Sequence, residues 1–122
     1  MKMPVSIVDD SGMARKMLIK ALPPEWNIEI SQASNGEEAL TLYRQGKAEL
    51  MFLDLQMPIM DGYQTLAQLK KEDLNCFVIV VSADVQPDAE KTVLGLGALA
   101  FIKKPVDPVQ VKTVLQRFGV MP

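Results

Sequence analysis

Short apolar runs recur along the chain and are separated by segments with amphipathic helical spacing. Residues 50–53 and 77–81 are continuously apolar, as strands covered on both faces require. Residues 28–31 instead alternate between apolar and polar side chains, which is typical of a half-buried strand. The pattern predicts five strands, at residues 4–8, 27–33, 50–53, 77–81 and 99–102.

Five helices are predicted between and after these strands. The first is stopped by the pair Pro23-Pro24, and the second opens with the capping sequence at residues 34–38 and ends at Gly46. The third covers residues 63–71, the fourth covers 87–96, and the last opens at Asp107-Pro108. The apolar positions of the first, second and last helices are Ala14, Met17, Leu18, Ala21 and Leu22; Ala39, Leu42 and Tyr43; and Val111, Val114, Leu115 and Phe118.

Strict alternation of five strands and five helices predicts an α/β fold with three layers. A strand followed by a helix and another strand forms a parallel pair, and the helices then cover both faces of one doubly wound sheet. The length of 122 residues suits a single domain over 1–122. Residues 119–122 either end this domain or begin a linker.

The amino-acid composition and net charge limit the classes of molecule that this chain is expected to bind. The chain is 48% hydrophobic and 23% charged with a net charge of −2, as in ordinary soluble globular proteins. It has no run of lysine or arginine, so we expect neither nucleic acid nor a membrane surface as its direct partner. A single cysteine, Cys76, excludes an internal disulfide, and no apolar run approaches the ~20 residues of a membrane span. We therefore expect a cytoplasmic protein.

The chain contains no histidine. That absence excludes Ser/His/Asp catalysis and zinc sites built on histidine. A phosphoryl group carried by histidine would have to come from another protein.

Polar side chains follow the strands at one edge of the predicted sheet. Asp9 and Asp10 come after the first strand, Asp54 after the third, Ser82 after the fourth and Lys104 after the fifth. In an open parallel sheet, ligands bind at the carboxyl ends of the strands. Each residue taken singly could be a helix cap or a surface side chain, but together they predict one site.

Three carboxylates within a few ångströms repel one another unless a cation lies between them. Mg²⁺ prefers oxygen ligands and keeps several waters. We therefore expect Asp10 and Asp54 to bind Mg²⁺ directly, Asp9 to bind it directly or through water, and the backbone carbonyl of Gln56 to supply a further ligand.

With the metal bound, Asp54 is a usable nucleophile for phosphorus and would form an acyl phosphate. Lys104 would neutralise phosphoryl charge, and the hydroxyl of Ser82 would donate to a phosphoryl oxygen. Positioning and electrostatic stabilisation of this kind are what phosphoryl transfer requires.

The sequence resembles the receiver domains of bacterial response regulators, including chemotaxis regulators, over essentially its whole length. Four motifs carry the resemblance in the correct order: Val8-Asp9-Asp10-Ser11; Phe52-Leu53-Asp54-Leu55-Gln56-Met57-Pro58 with Met60-Asp61-Gly62; Val80-Val81-Ser82-Ala83; and Lys103-Lys104-Pro105. The resemblance implies a flavodoxin-like sheet with strand order 2-1-3-4-5 and a cis Lys104–Pro105 bond.

The resemblance also implies roles and partners. Asp54 would accept phosphate from a histidine kinase, a phosphotransfer protein or a small phosphodonor, and Ser82 with Phe101 would form the conformational switch. Gln56 and Asp84 match positions that tune loss of the phosphoryl group. The switched surface would be the fourth helix, the fifth strand and the fifth helix.

Signalling output would go to a downstream protein or to a fused output domain, and the sequence leaves both open. It also leaves open a monomer or a weak dimer that depends on phosphorylation. The implied chemistry is limited to the domain's own phosphorylation and dephosphorylation.

Three alternatives compete with this interpretation. A degenerate receiver would only bind partners. A phosphatase of the haloacid dehalogenase class would need a second acid where Gln56 stands. A flavodoxin-like FMN carrier would need a phosphate-binding loop where Asp9 and Asp10 would repel phosphate.

Overall fold

A computed structural model describes residues 2–84 and 86–121. Its sheet is parallel throughout, with strand order β2-β1-β3-β4-β5. The strands are β1 (Met3–Val8), β2 (Ile28–Ala33), β3 (Leu50–Leu53), β4 (Phe77–Ser82) and β5 (Ala100–Lys103). The predicted three-layer α/β fold and its implied strand order are confirmed.

Five helices connect and follow these strands. They are α1 (Gly12–Ala21), α2 (Gly36–Arg44), α3 (Gly62–Lys71), α4 (Ala89–Gly95) and α5 (Pro108–Arg117). Side-chain oxygens of Ser11, Asn35, Asp61 and Asp107 accept hydrogen bonds from the first turns of α1, α2, α3 and α5. These caps satisfy backbone N–H groups that would otherwise lack partners, and so fix where the helices begin.

The core lies on both sides of the central strands. In β3, Met51 and Leu53 face a cluster formed with α2, α3 and α4, while Leu50 and Phe52 face a cluster formed with α1 and α5. All four side chains are at most 1% exposed, which explains why the strand is continuously apolar. Within the described residues, no helix has the length and apolarity needed to cross a membrane.

Four sequence predictions differ from the structure at helices. Met17, on the predicted apolar face of α1, is 51% exposed. The fourth helix begins at Ala89, because Pro87 and Asp88 form a turn before it. Leu40, absent from the predicted face of α2, is 4% exposed and belongs to the core. Phe118 was predicted to be apolar core, but it is 40% exposed and its ring lies 5.6 Å from the Arg117 guanidinium carbon.

The predicted domain includes Met1, Val85 and Pro122, which lie outside the described residues. Near the carboxyl end, Met121 is 6% exposed and packs in the cluster beneath α1 and α5.

Strand register brings the carboxyl ends of the central strands level. Val8 pairs with Leu53 and Leu53 pairs with Val80. The residues that follow these positions therefore meet at one edge of the sheet, called the rim below.

Candidate functional site

Asp9 is the first residue after β1 and is held by hydrogen bonds on all sides. Its N–H donates to the Ala33 carbonyl at 3.1 Å, and its own carbonyl accepts from Arg15 Nη1 at 2.6 Å. Its Oδ1 accepts from the Ser11 N–H at 2.9 Å. Asp9 is 7% exposed, whereas Asp10 is open to solvent. One carboxylate at this strand end is therefore fixed and the other is accessible.

Asp54 follows β3 in the centre of the rim. Its N–H donates to the Val8 carbonyl at 3.0 Å, and its Oδ1 accepts from the Leu55 N–H at 2.8 Å. The first residue of α3, Gly62, packs directly against this segment and donates its N–H to the Leu55 carbonyl at 3.0 Å. The backbone of Asp54 is thus fixed by β1 on one side and α3 on the other.

The three predicted carboxylates converge. Asp9, Asp10 and Asp54 each offer an oxygen, and these oxygens lie within 4.8 Å of one another. Burial raises the pKa of Asp54, and the charge of Asp9 raises it further. A cluster of this kind is unstable as three bare anions.

Lys104 partly offsets the negative charge of the three carboxylates. Its Nζ donates to Asp9 Oδ2 at 2.7 Å and lies 3.6 Å from Asp54 Oδ2. Desolvation opposes the charge of Lys104, but its hydrogen bond to Asp9 and the negative charges of Asp54 and Asp9 raise the pKa of Lys104 overall. One ammonium faces three carboxylates, so the cluster keeps an excess of negative charge that suits a hard divalent cation.

The donor set fits Mg²⁺ chemically, because it consists of carboxylate oxygens with one accessible member, Asp10. Gln56 lies two residues after Asp54 in the same loop and is exposed. Its backbone forms a hydrogen bond that lowers the pKa of Asp54, although not enough to reverse the effect of burial. The role of its carbonyl as a metal ligand stays a prediction.

Ser82 and Lys104 are joined through their backbones. Ser82 ends β4 and is fully buried, and its carbonyl accepts from the Lys104 N–H at 2.9 Å. The Lys104–Pro105 bond is cis, as the resemblance implies. The hydroxyl of Ser82 accepts from the Asp84 N–H at 3.1 Å.

Phe101 lies on β5 and pairs in register with Val80. It is half-buried and packs against the core cluster that contains Ala89 and Val93 of α4. Phe101 thus lies between the strand that carries Ser82 and the helix expected to move. Its role as a switch stays a prediction.

Two contacts at the rim were not predicted from the sequence. Tyr63 of α3 donates to Asp84 Oδ2 at 2.9 Å, and Arg15 of α1 binds the Asp9 carbonyl. No sequence signal indicates the first contact, because residues 63 and 84 are 21 positions apart and no periodicity joins them. Arg15 stands five residues after Asp10 in the first helix, and a basic side chain so soon after an acidic pair could have indicated the second contact.

An apolar cavity of about 340 Å³ opens beside this site. Its walls include Met17 and Leu18 of α1, together with Pro105 and Val106 after β5. Asp9, Asp54 and Lys104 line its polar end. Met17 and its neighbour Met13 are 51% and 73% exposed, so α1 presents apolar side chains next to the carboxylates.

Comparison with known proteins adds an independent finding. The family model described as the response regulator receiver domain matches residues 5–116. The chemotaxis protein CheY of Thermotoga maritima is 33% identical over 114 residues, which is 93% of this chain and 94% of that protein.

A protein-glutamate methylesterase/protein-glutamine glutaminase of Halalkalibacterium halodurans is 38% identical over 108 residues, or 86% of this chain. The match spans 31% of that relative's length. Among solved structures, the CheX–CheY–BeF₃–Mg complex of Borrelia burgdorferi contains a similar chain, with a TM-score of 0.85. The two chains are 35% identical, and the match covers 95% of this chain and 89% of that chain.

Proposed function

The chain belongs to the response regulator receiver family, and we propose that it takes a phosphoryl group onto Asp54 with the help of Mg²⁺. Family membership decides against the phosphatase and FMN-carrier alternatives. The degenerate-receiver alternative is disfavoured by the complete set of polar side chains at the rim, which are Asp9, Asp10, Asp54, Ser82 and Lys104.

One observation carries the proposal. Oxygens of Asp9, Asp10 and Asp54 lie within 4.8 Å of one another, and Lys104 Nζ lies 3.6 Å from Asp54 Oδ2. A carboxylate that shares a metal-binding cluster and faces a fixed ammonium is suited to attack phosphorus, because both cations offset the negative charge of the incoming group.

Asp9, Asp10, Asp54 and the carbonyl of Gln56 would hold the metal ion. When bound, Mg²⁺ supplies charge neutralisation for the carboxylates and for the phosphoryl oxygens. Arg15 and the Ser11 N–H keep Asp9 in place for this role.

The transfer itself needs no proton from this chain. A carboxylate oxygen of Asp54 forms a bond to phosphorus, while the bond from phosphorus to the donor's imidazole nitrogen breaks. The imidazole, protonated on its other nitrogen by the donor protein or by water, takes that electron pair and leaves as the neutral ring. Lys104 stays close to the new acyl phosphate, and Ser82 donates its hydroxyl proton in a hydrogen bond to a phosphoryl oxygen.

The donor is a histidine kinase, a phosphotransfer protein or a small phosphodonor. Because this chain has no histidine, a donor histidine belongs to another protein. The exposed methionines of α1 and the cavity beside Asp54 give such a protein an apolar surface next to the acceptor. Output goes to a downstream protein or to a fused domain, as the methylesterase relatives extend well beyond the matched region. The domain acts as a monomer or a weak phosphorylation-dependent dimer.

A labelling experiment tests the site. With Mg²⁺ and a small acyl phosphate donor, the wild-type protein should be phosphorylated, and Asp54→Asn should reduce labelling to background. Asp73→Asn is a matched control, since Asp73 is an exposed aspartate in the turn after α3, at the opposite edge of the sheet. It should label like wild type on a phosphate-affinity gel.

Chelation of Mg²⁺ should stop labelling of the wild-type protein. Normal labelling of Asp54→Asn would overturn the acceptor assignment. Undiminished labelling after chelation would overturn the metal role of the acidic cluster.

A further inference from the structure

A chain of hydrogen bonds connects α3 to Ser82. Tyr63 Oη donates to Asp84 Oδ2 at 2.9 Å, and the Asp84 N–H donates to Ser82 Oγ at 3.1 Å. The other carboxylate oxygen of Asp84 accepts from the Gln86 N–H at 2.9 Å. The loop after β4 is therefore held at both oxygens of Asp84 and at the hydroxyl of Ser82.

The amino-terminal end of α3 is a rigid support for Tyr63. Asp61 and Gln64 form a capping box, with Asp61 Oδ1 accepting from the Gln64 N–H at 2.8 Å. Gly62 lies so close to Leu55 that a Cβ on it would sit 2.7 Å from the Leu55 Cα. Tyr63 is consequently fixed relative to the strand that carries Asp54.

Asp84 depends on this support because it is only 8% exposed. A buried carboxylate needs hydrogen-bond donors to replace water. Within the part of the chain that the structure describes, the hydroxyl of Tyr63 is the donor that reaches Asp84 from outside the loop after β4. Burial, with the neighbouring Asp84, raises the pKa of Tyr63, so the phenol keeps its donor proton at neutral pH.

We propose that Tyr63 is a positioning residue that holds the loop after β4 in its resting arrangement and opposes the switch at Ser82. This inference rests on the proposed function. A shift of Ser82 toward a phosphoryl group draws Asp84 with it through the hydrogen bond between them. The bond between Asp84 and Tyr63 then breaks, because the start of α3 is held by its capping box and by its close packing on Leu55.

The inference predicts that removing the hydrogen bond between Tyr63 and Asp84 increases the affinity of the domain for a phosphoryl mimic. A bond made only in the resting state biases the equilibrium toward that state, so removing it favours the active state. The net contribution of one hydrogen bond corresponds to about a two- to tenfold change in an equilibrium constant. Tyr63→Phe should therefore bind beryllofluoride, a phosphoryl mimic, about two- to tenfold more tightly than wild type.

The chain offers a matched control in Tyr43, its other tyrosine. Tyr43 donates to the Glu72 carbonyl at 3.1 Å and accepts from the Asn75 N–H at 2.9 Å, at the edge of the sheet opposite the rim. Tyr43→Phe removes the same hydroxyl and should leave beryllofluoride affinity unchanged. Calorimetric titration in excess Mg²⁺ measures all three proteins.

The direction in which Tyr63→Phe changes the affinity for beryllofluoride distinguishes a positioning role from a merely structural one. If Tyr63 only supported the site, Tyr63→Phe would bind beryllofluoride less tightly. Unchanged or weaker binding by Tyr63→Phe, or an equal gain in Tyr43→Phe, would overturn the proposal.

Asp84→Ala tests whether Asp84 transmits the effect. In that background Tyr63→Phe should cause no further gain in affinity, because the acceptor is already absent. An undiminished gain from Tyr63→Phe in the Asp84→Ala protein would refute the pathway through Asp84.

Amide hydrogen exchange in the unliganded protein provides a readout that does not depend on phosphoryl chemistry. Tyr63→Phe should speed exchange at Asp84 and Gln86, and unchanged exchange there would contradict the proposal. Failure of the wild-type protein to bind beryllofluoride would instead contradict the proposed function, and with it the opposition to the switch.

Discussion

The carboxylate of Asp54 is buried beside Asp9, and its position works against the stability of the metal-free fold. Burial and the charge of Asp9 raise its pKa above the ordinary value of 3.8. The folded state therefore binds this proton more tightly than the unfolded state does. Above pH 3.8, the raised pKa of Asp54 in the folded state therefore lowers the free energy of unfolding.

Asp54→Asn should accordingly raise the melting temperature of the metal-free protein at pH 7 by a few degrees. The advantage should shrink as the pH falls toward 3.8, because the folded state takes up the Asp54 proton at a higher pH than the unfolded state does. Scanning calorimetry in a chelating buffer measures both. A wild-type protein more stable than Asp54→Asn at pH 7 without metal would contradict the prediction.

Mg²⁺ should reverse the order of the melting temperatures of wild type and Asp54→Asn. A ligand that binds only the folded state raises the free energy of unfolding. Once the ligand concentration exceeds the dissociation constant, this increase grows with the logarithm of that concentration. The melting temperature of wild type should rise with Mg²⁺, that of Asp54→Asn should rise much less, and the control Asp73→Asn should follow wild type. Equal responses in all three proteins would place the metal elsewhere.

At the scale of elements, the start of α3 packs tightly against the backbone that directly follows the acceptor strand. A Cβ on Gly62 would overlap the Asp54 carbonyl oxygen and lie 2.7 Å from the Leu55 Cα. Both obstacles are backbone atoms, which cannot rotate away as a side chain can.

Gly62→Ala should therefore destabilise the domain by about 1–3 kcal/mol, the usual cost of overpacking. Gly12→Ala is a matched control, because Gly12 is the first residue of α1 and its nearest neighbour would be Arg15 Nη2 at 3.5 Å. It should be neutral or slightly stabilising. Urea denaturation measures both, and equal stability of the two variants would contradict the close packing of α3 on β3.

Elements could be predicted wherever the local pattern alone determined them. The run at 50–53 was predicted to the residue, because a strand buried on both faces excludes polar side chains. The start of α4 was placed too early, because Pro87 suits a first helical turn and a preceding turn equally well. Phe118 was misassigned because its helical spacing is correct, while α5 ends just before it and leaves it at the surface.

At the scale of the whole molecule, the sequence predicted the rim because parallel strands end at the same edge. That rule placed Asp9, Asp10 and Asp54 together without any knowledge of distances, and the structure brings them together. It could not predict the contact between Tyr63 and Asp84, which depends on how far α3 lies from the loop after β4. Contacts between elements are set by packing, and no pattern within either element encodes them.

Near Ser82, the start of α4 is held less firmly than the starts of the other helices that the structure describes. The helix α4 has seven residues, and its N-cap residue Asp88 makes no side-chain capping bond. Short uncapped helices depend on tertiary packing for most of their stability. The packing partner available to α4 from β5 is the half-buried Phe101, which shares a core cluster with Val93. A change at Ser82 that frees space for Phe101 should therefore loosen or shift α4 before any other helix.

Hydrogen exchange with beryllofluoride and Mg²⁺ should locate this response. We expect altered protection at residues 86–96, in β5 and at residues 106–118, while β2 and α2 stay as they are, because only the first set adjoins Phe101 and Ser82. Asp54→Asn under the same conditions should show no change, which separates switching from nonspecific effects of the salt. Changes confined to the residues around Asp9 and Asp54 would show that the phosphoryl mimic binds without moving the α4–β5–α5 surface, and would contradict the predicted switch.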